Sequence, residues 1–252
     1  EWTRSLAGAG ALVHLAGESV GGKRWDARQK QVIRDSRVES TRTIVEAIAK
    51  LPVDDRPKAL VNASGADYYP FALDIDFDDD DVTEIDAPGD SFLARVCRDW
   101  EHEAIAAEAL GVRVVRMRTG LVLAPGGALA KMSTPFKFFV GGRIGHGRQW
   151  LSWIHRDDAV AAYLRAIDDE RYRGPINLVT DSIRNSEFVR ALGKALGRPS
   201  WLPVPAFAVK AAAGEMAEYV LQGRHVVPSR LRELGFTWRH PTLAGALADA
   251  TA

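Results

Sequence analysis

Short apolar runs alternate along this chain with longer charged stretches in which apolar residues return every three or four positions. Ala11 to Leu15, Lys58 to Ser64, Val112 to Ala124 and Gly174 to Thr180 are rich in Val, Leu and Ala and close on turn residues, so each predicts a buried strand. Between the first two, Trp25 to Lys50 carries Val32, Ile33, Val38, Thr41, Ile44, Val45 and Ile48 at helical spacing and stops at Leu51-Pro52, which predicts one long amphipathic helix. A second helix opens at Pro88-Gly89-Asp90, with Asp90 or Ser91 as cap, and sets Phe92, Val96, Trp100, Ala104 and Ala107 in one stripe. A third is capped by Asp157 or Asp158 and runs through Ile167. Strand, helix, strand in repetition is the βαβ unit, whose right-handed crossover implies a parallel sheet.

From Asp181 the texture changes to successive helices, at Asn185 to Leu196, Pro205 to Leu221, Ser229 to Glu233 and Thr242 to Ala250. The expected organisation is therefore an α/β domain over residues 1–180 and a smaller, mainly helical lobe over 181–252. Gly141 to Asp158, GGRIGHGRQWLSWIHRDD, mixes glycine, aromatic and basic residues in the manner of a loop passing close to a ligand. The acidic run at 74–86 lacks the glycine and terminal glutamate of a calcium-binding loop in the required frame, so it reads as solvated, with no metal site.

Composition narrows the function classes. Lys plus Arg equals Asp plus Glu at 33 each, so no net field draws nucleic acid or an anionic membrane. No run of 18 apolar residues and no basic-then-apolar leader is found. The single Cys97 fits a reducing compartment, and a cytoplasmic location is expected. A small molecule is the expected partner.

Several segments, taken in order, resemble the extended short-chain dehydrogenase/reductase superfamily, and within it the atypical epimerase-like branch with a C-terminal helical domain of the DUF1731 type. They are ALVHLAGE (11–18), STRTIVEAI (40–48), NASGADYYP (62–70), TEIDAPGDSFLARVCRDWE (83–101), RTGLVLAPGGALAKM (118–132), GRQWLSWIHRDDAV (147–160) and GEMAEYVLQGRHVVPSRLRELGFTWRHPTL (214–243). The resemblance implies a Rossmann-like doubly wound parallel sheet that holds NADP, or NAD, across the carboxyl ends of its strands, and oxidoreductase or epimerase chemistry on a carbonyl or sugar-nucleotide substrate. It also implies a homodimer paired through the helices at Trp25 to Lys50 and Ser91 to Leu110.

Carried over residue by residue, His14, Leu15, Ala16 and Gly17 resemble the turn beside the adenine and ribose, and Thr41 and Thr43 resemble the helix positions supporting it. Arg118, Thr119, Gly120 and Leu121 resemble the segment that meets the nicotinamide ribose and amide. Ser64 resembles the serine facing nicotinamide and substrate, and Tyr69 is the catalytic candidate beside it. Tyr68, Arg148, Trp150, Trp153 and His155 are the candidate substrate contacts. Each also has a plain structural reading: His14 as a satisfied core histidine, Ser64 as the partner of a backbone group, Arg118 as an ion-pair member, and Tyr68 and Tyr69 as packing under a loop.

The sequence departs from the superfamily pattern twice. The G-x-x-G-x-x-G turn that holds a pyrophosphate at a helix N-terminus is absent, and is expected in a βαβ unit before the residues matching Glu1. The superfamily's Tyr acid/base, with Lys four residues on, is matched by Phe92 and Val96 or, one residue along, by Leu93 and Cys97, neither of which supplies a comparable pair. Substitutes would come from Tyr68, Tyr69, Lys131, His155 or Asp157. The rival reading is a nucleotide-binding sensor or interaction protein that kept the fold and lost the chemistry.

Overall fold

The computed structural model describes residues 5–71 and 80–252, so residues 74–79 of the acidic run lie outside the described residues. Four strands, β1 (Ala11–His14), β2 (Ala59–Gly65), β3 (Arg113–Thr119) and β6 (Gly174–Leu178), form one parallel sheet in the order β1-β2-β3-β6. Ala11 stands opposite Ala59, Ser64 opposite Arg118, and Arg118 opposite Asn177.

The two-residue period of these strands sorts their side chains between two helical layers. Leu60 and Val114 meet Ala47 and Ile48 of helix α1 (Ala27–Ala49) and Ala104 of α2 (Phe92–Ile105). On the other face, Val61, Val115, Met117, Ile176 and Leu178 pack on Ala159, Ala162 and Ala166 of α4 (Arg156–Asp168). Helices thus cover both faces, as the sequence leads one to expect of a doubly wound sheet. Burying each large aliphatic side chain contributes about 1.5–3 kcal/mol.

Asp26, not Trp25, starts α1, by accepting from the Gln29 amide at 2.7 Å, and Ser91 caps α2 by accepting from Ala94. In α4 the cap falls two or three residues earlier than expected. His155 Nδ1 accepts from the Asp157 amide at 3.2 Å, leaving Asp157 and Asp158 inside the first turn.

The largest correction concerns a second sheet. The Val112 to Ala124 run divides at Gly120 into β3 and β4 (Leu121–Leu123). The WLSWIH stretch expected in a loop is strand β5 (Trp150–His155), and Asp181–Arg184 opens the C-terminal part as strand β7 rather than helix. β4 and β5 pair in parallel and β5 and β7 antiparallel. The break at Gly120 has a steric cause: a Cβ there would stand 2.7 Å from the Ser152 carbonyl oxygen and 2.9 Å from Val179.

Helix α3 (Gly127–Lys137), absent from the sequence reading, α5 (Asn185–Ala195) and α9 (Leu243–Thr251) close a second core, with Leu129, Phe136, Phe188, Leu192 and Leu247 around Trp153. The expected single helix from Pro205 to Leu221 is two, α6 (Ala206–Ala213) and α7 (Ala217–Leu221), divided at Gly214 with φ of +59°. α8 (Ser229–Glu233) packs on β6. No helix among the described residues is long and apolar enough to cross a membrane.

Candidate functional site

The carboxyl ends of β1, β2, β3 and β6 open into a cleft of about 420 Å³. Its floor is Ser64, Gly65, Thr119 and Leu178; α2 contributes Leu93, Val96, Cys97 and Trp100, and α4 contributes Arg156, Ala159, Val160 and Tyr163. Leu15, Val20 and Arg37 complete the wall on the β1 side, and Leu15 remains 63% exposed, a large apolar side chain left uncovered at the rim. The open edge of β1 adds Val13 to this apolar margin.

Of the polar groups in the cleft, Arg37 is held from below. Its Nη1 donates to the carbonyls of Glu18 and Ile33, at 3.0 Å each, and burial lowers its pKa. Tyr163 is pushed up to about 12 by burial, against a hydrogen bond with Thr119. Cys97 is likewise raised to about 12, by burial first and then by the nearby Asp67 and Glu101 carboxylates. Asp67 is exposed to solvent at the cleft, and the protein crowded about it raises its carboxyl to about 6, against the pull of Arg37.

Beneath the floor lies a buried ion network created by strand alternation. Arg116 and Arg118 point from β3 to the same face as Ser64, and Glu101 reaches them from α2. Arg118 Nε donates to Glu101 Oε1 at 2.8 Å and its Nη2 to Oε2 at 2.9 Å. Arg116 Nη1 donates to Oε2 at 3.1 Å, and Ser64 Oγ to Oε1 at 2.8 Å. Arg118 Nη1 also donates to Tyr69 OH at 2.8 Å, and Tyr69 donates on to Asn177 Oδ1 at 2.6 Å. Burial works against the Arg118 charge, but Glu101 more than offsets it and holds that pKa above its ordinary value. Burial raises the Tyr69 phenol, against the effect of Arg118.

The structure therefore brings Leu15, Ser64 and Thr119 to the cleft and joins Ser64, Tyr69 and Arg118 in one network beneath it. Tyr68 lies under the Arg118 guanidinium, 3.4 Å from ring centre to Cζ. Ala16 and Gly17 follow β1 at the surface, where a Cβ on Gly17 would meet Arg37 Cζ at 2.9 Å. His14 is buried with Nε2 3.1 Å from Ser40 Oγ, and burial lowers its pKa. The Thr41 hydroxyl donates to its own helix, at the Arg37 carbonyl. Gly120 and Leu121 form the kink between β3 and β4.

The candidate substrate contacts lie apart from this cleft. Trp153 is 1% exposed and sits in the second core. Trp150 stacks on His225 at 4.2 Å with Arg184 over its ring, and the Arg148 carbonyl accepts from Arg184. His155 is 0% exposed, with its ring 3.7 Å from that of His240. Its Nε2 lies 3.1 Å from Asp249 Oδ2, in a geometry too bent for a hydrogen bond. Ligand atoms of His155, Asp157 and His240 lie within 4.8 Å of one another, and His155 Nδ1 is already engaged as the acceptor of the Asp157 amide.

Sequence reasoning missed Asp67, Glu101, Tyr163 and Asn177. Glu101 had a signal: alternating Arg116 and Arg118 in a strand otherwise read as buried on both faces require a buried acid.

Residues 1–178 match the model of the NAD dependent epimerase/dehydratase family, and residues 204–250 match the domain of unknown function DUF1731. The chain belongs to the NAD dependent epimerase/dehydratase family. It is 40% identical to Epimerase family protein ML0860 of Mycobacterium leprae, over 99% of this chain and 79% of that protein. With the chloroplastic SDR39U1 homolog of Arabidopsis thaliana it shares 41% identity, over 98% of this chain and 70% of that protein. Its fold matches the crystal structure of human epimerase family protein SDR39U1 with NADPH at a TM-score of 0.87 and 32% identity, covering 99% of this chain and 84% of that one. The pairing with DUF1731 places it in the atypical branch that the sequence motifs indicate.

Proposed function

We propose that the cleft holds the nicotinamide half of NADP(H), with NAD(H) as the alternative nucleotide, and that the protein is an oxidoreductase or epimerase acting on a small carbonyl or sugar-nucleotide compound. The observation that carries this reading is the position of the cleft, at the carboxyl ends of four parallel strands, in a chain similar over nearly its whole length to a protein crystallised with NADPH. The residues present fit the group. Leu15, Val20, Leu93 and Val96 offer an apolar wall to a planar ring, and Gly65 leaves open the space that a side chain would fill. Thr119 supplies a hydroxyl at the floor.

A bound nicotinamide would supply or accept hydride. The chain's own contribution is to bind it, shield it and manage the proton. Leu93 and Cys97, four residues apart on α2, both line the cleft, whereas the Phe92 ring lies 5.2 Å from that of Trp25. The register that matches Leu93 and Cys97 to the superfamily's Tyr and Lys is therefore the one supported, and the usual pair is replaced by a leucine and a thiol. Ser64 and Tyr69 remain the proposed support of the reacting centre, acting through the Glu101 and Arg118 network under the floor.

That replacement also favours the second reading, an NADP(H)-binding sensor without chemistry. Calorimetric titration of NADPH, then NADH, into the protein tests the first. Saturable binding with hydride transfer to any carbonyl of a panel supports the enzyme; binding with none supports the sensor, and no binding refutes both. Val32 on α1 and Ile105 on α2 are exposed and support pairing of two copies through these helices, for which light scattering should read twice the chain mass.

A further inference from the structure

On the proposal that the cleft holds a nicotinamide nucleotide, the proton of the reaction comes from a side chain that lines it. Ser64 donates its proton to Glu101 under the floor and is 5% exposed. Thr119 Oγ1 donates to the Met117 carbonyl at 3.0 Å. Tyr163 and Cys97 each hold their protons up to about pH 12. Arg37 donates to the Glu18 and Ile33 carbonyls, and Arg156 Nε donates to Asp157 Oδ1 at 3.1 Å, so both guanidiniums serve as fixed donors. Asp67 remains.

Asp67 stands three residues after Ser64, in the short turn that follows β2, and keeps access to solvent at the cleft. Its Oδ2 lies 3.5 Å, and Cys97 Sγ 3.4 Å, from the point where a Gly65 Cβ would stand, so the carboxyl and the thiol converge on one spot in the cleft wall. The charged and titratable groups that act on it or feel it are Arg37 from α1, Cys97 from α2 and Tyr219 from α7, while Tyr163 and Arg156 of α4 line the same cleft. Of these only Arg37 opposes the loss of hydration to a resolved extent.

We infer that Asp67 is the proton-transferring residue of this cleft, taking the place of a tyrosine acid/base. A carbonyl oxygen lodged beside it would take the Asp67 proton as hydride from the reduced nicotinamide reaches the carbonyl carbon. The products are the alcohol, the oxidised nicotinamide and the Asp67 carboxylate, which recovers a proton from solvent at the cleft mouth. In the oxidising direction the carboxylate accepts the alcohol proton as hydride leaves. A carboxyl raised to about 6 has a fraction of either form available near neutrality, as general acid–base work requires. Its second cause, Arg37, gives the cleft a means of setting that value.

The test uses the full protein, NADPH, and 9,10-phenanthrenequinone as carbonyl probe. First, the Asp67 carboxyl is titrated by infrared difference spectroscopy of native protein against Asp67→Asn. A midpoint near 6 is expected, and an ordinary carboxylate midpoint near 4 overturns the inference. Second, Asp67→Asn should still bind NADPH while kcat for reduction falls about 10²-fold or more, with partial recovery in Asp67→Glu. In the native protein the reduction rate should decline as pH rises through about 6, and Arg37→Gln should move that decline to higher pH. NADPH binding with native rates in Asp67→Asn overturns this inference alone. Absence of NADPH binding overturns the cofactor reading itself, and NADPH binding by a native protein that does not reduce the probe overturns the assignment in favour of the sensor.

Discussion

Glu101→Gln is the substitution that most directly tests whether the floor of the cleft is held by charge. Glu101 is 2% exposed and accepts from Ser64, Arg116 and twice from Arg118. Glutamine preserves the volume but brings an amide that donates where the Arg118 guanidinium also donates, and it leaves a 3% exposed cation without a counter-charge. Removing one partner of such a buried pair costs about 3–5 kcal/mol. Coulomb attraction at contact distance gives a similar scale, about 4 kcal/mol at an effective dielectric of 20. With a urea slope of about 3 kcal/mol/M, the unfolding midpoint should fall by about 1–1.7 M. Replacing all three partners, as Glu101→Leu with Arg116→Met and Arg118→Met, should recover more than half of that loss, because neither cation that Glu101 pairs with is then orphaned. Urea unfolding followed by circular dichroism reads each value. A loss below about 1 kcal/mol for Glu101→Gln would refute the claim that this pair carries the floor.

Three further outcomes follow from particular contacts. Gly120→Ala drives a methyl against the Ser152 carbonyl and Val179, so it should destabilise by about 1–3 kcal/mol in the same assay. Asp67 has a folded-state pKa of about 6, above the unfolded value of 3.8, so its stabilising contribution is present below about pH 4 and lost as pH rises through 6. Unfolding midpoints of native protein relative to Asp67→Asn should fall across that window, and a constant difference would contradict the assignment. His155 has its pKa lowered, by burial first and then by His240, so the folded state binds that proton more weakly than the unfolded chain. Stability should drop as pH falls below about 6.5, and less so in His155→Asn, which keeps a capping acceptor for the Asp157 amide.

The parallel sheet and its two helical layers were legible in the sequence because their strands are apolar on both faces and their helices carry clean stripes. The second sheet was not. In β5, Trp150, Leu151, Trp153 and Ile154 carry a strand's composition, but glycine and arginine on both sides suggested a loop, and only pairing with β4 and β7, which are remote in sequence, makes it a strand. Leu15, Ser64 and Thr119 reached the cleft through motif position alone. Trp153 was drawn toward the site by its neighbours in the motif, whereas burial in the second core decides its place. Asp67 gave no sequence signal, since an aspartate after a strand is ordinary until α1, α2 and α4 converge around it.

The cleft itself is tested by NADPH calorimetry on the native protein and on Gly65→Val. Gly65 has φ of −122° and ψ of 150°, which valine adopts freely, and the nearest atoms to an added Cβ stand 3.4 and 3.5 Å away. The backbone therefore accommodates the substitution, while the side chain fills the space assigned to the nicotinamide; thermal unfolding of both proteins checks that the fold is kept. Saturable NADPH binding by the native protein, weakened about tenfold or more in Gly65→Val, is the predicted result. Equal affinity in the two proteins would place the nucleotide elsewhere and contradict the account.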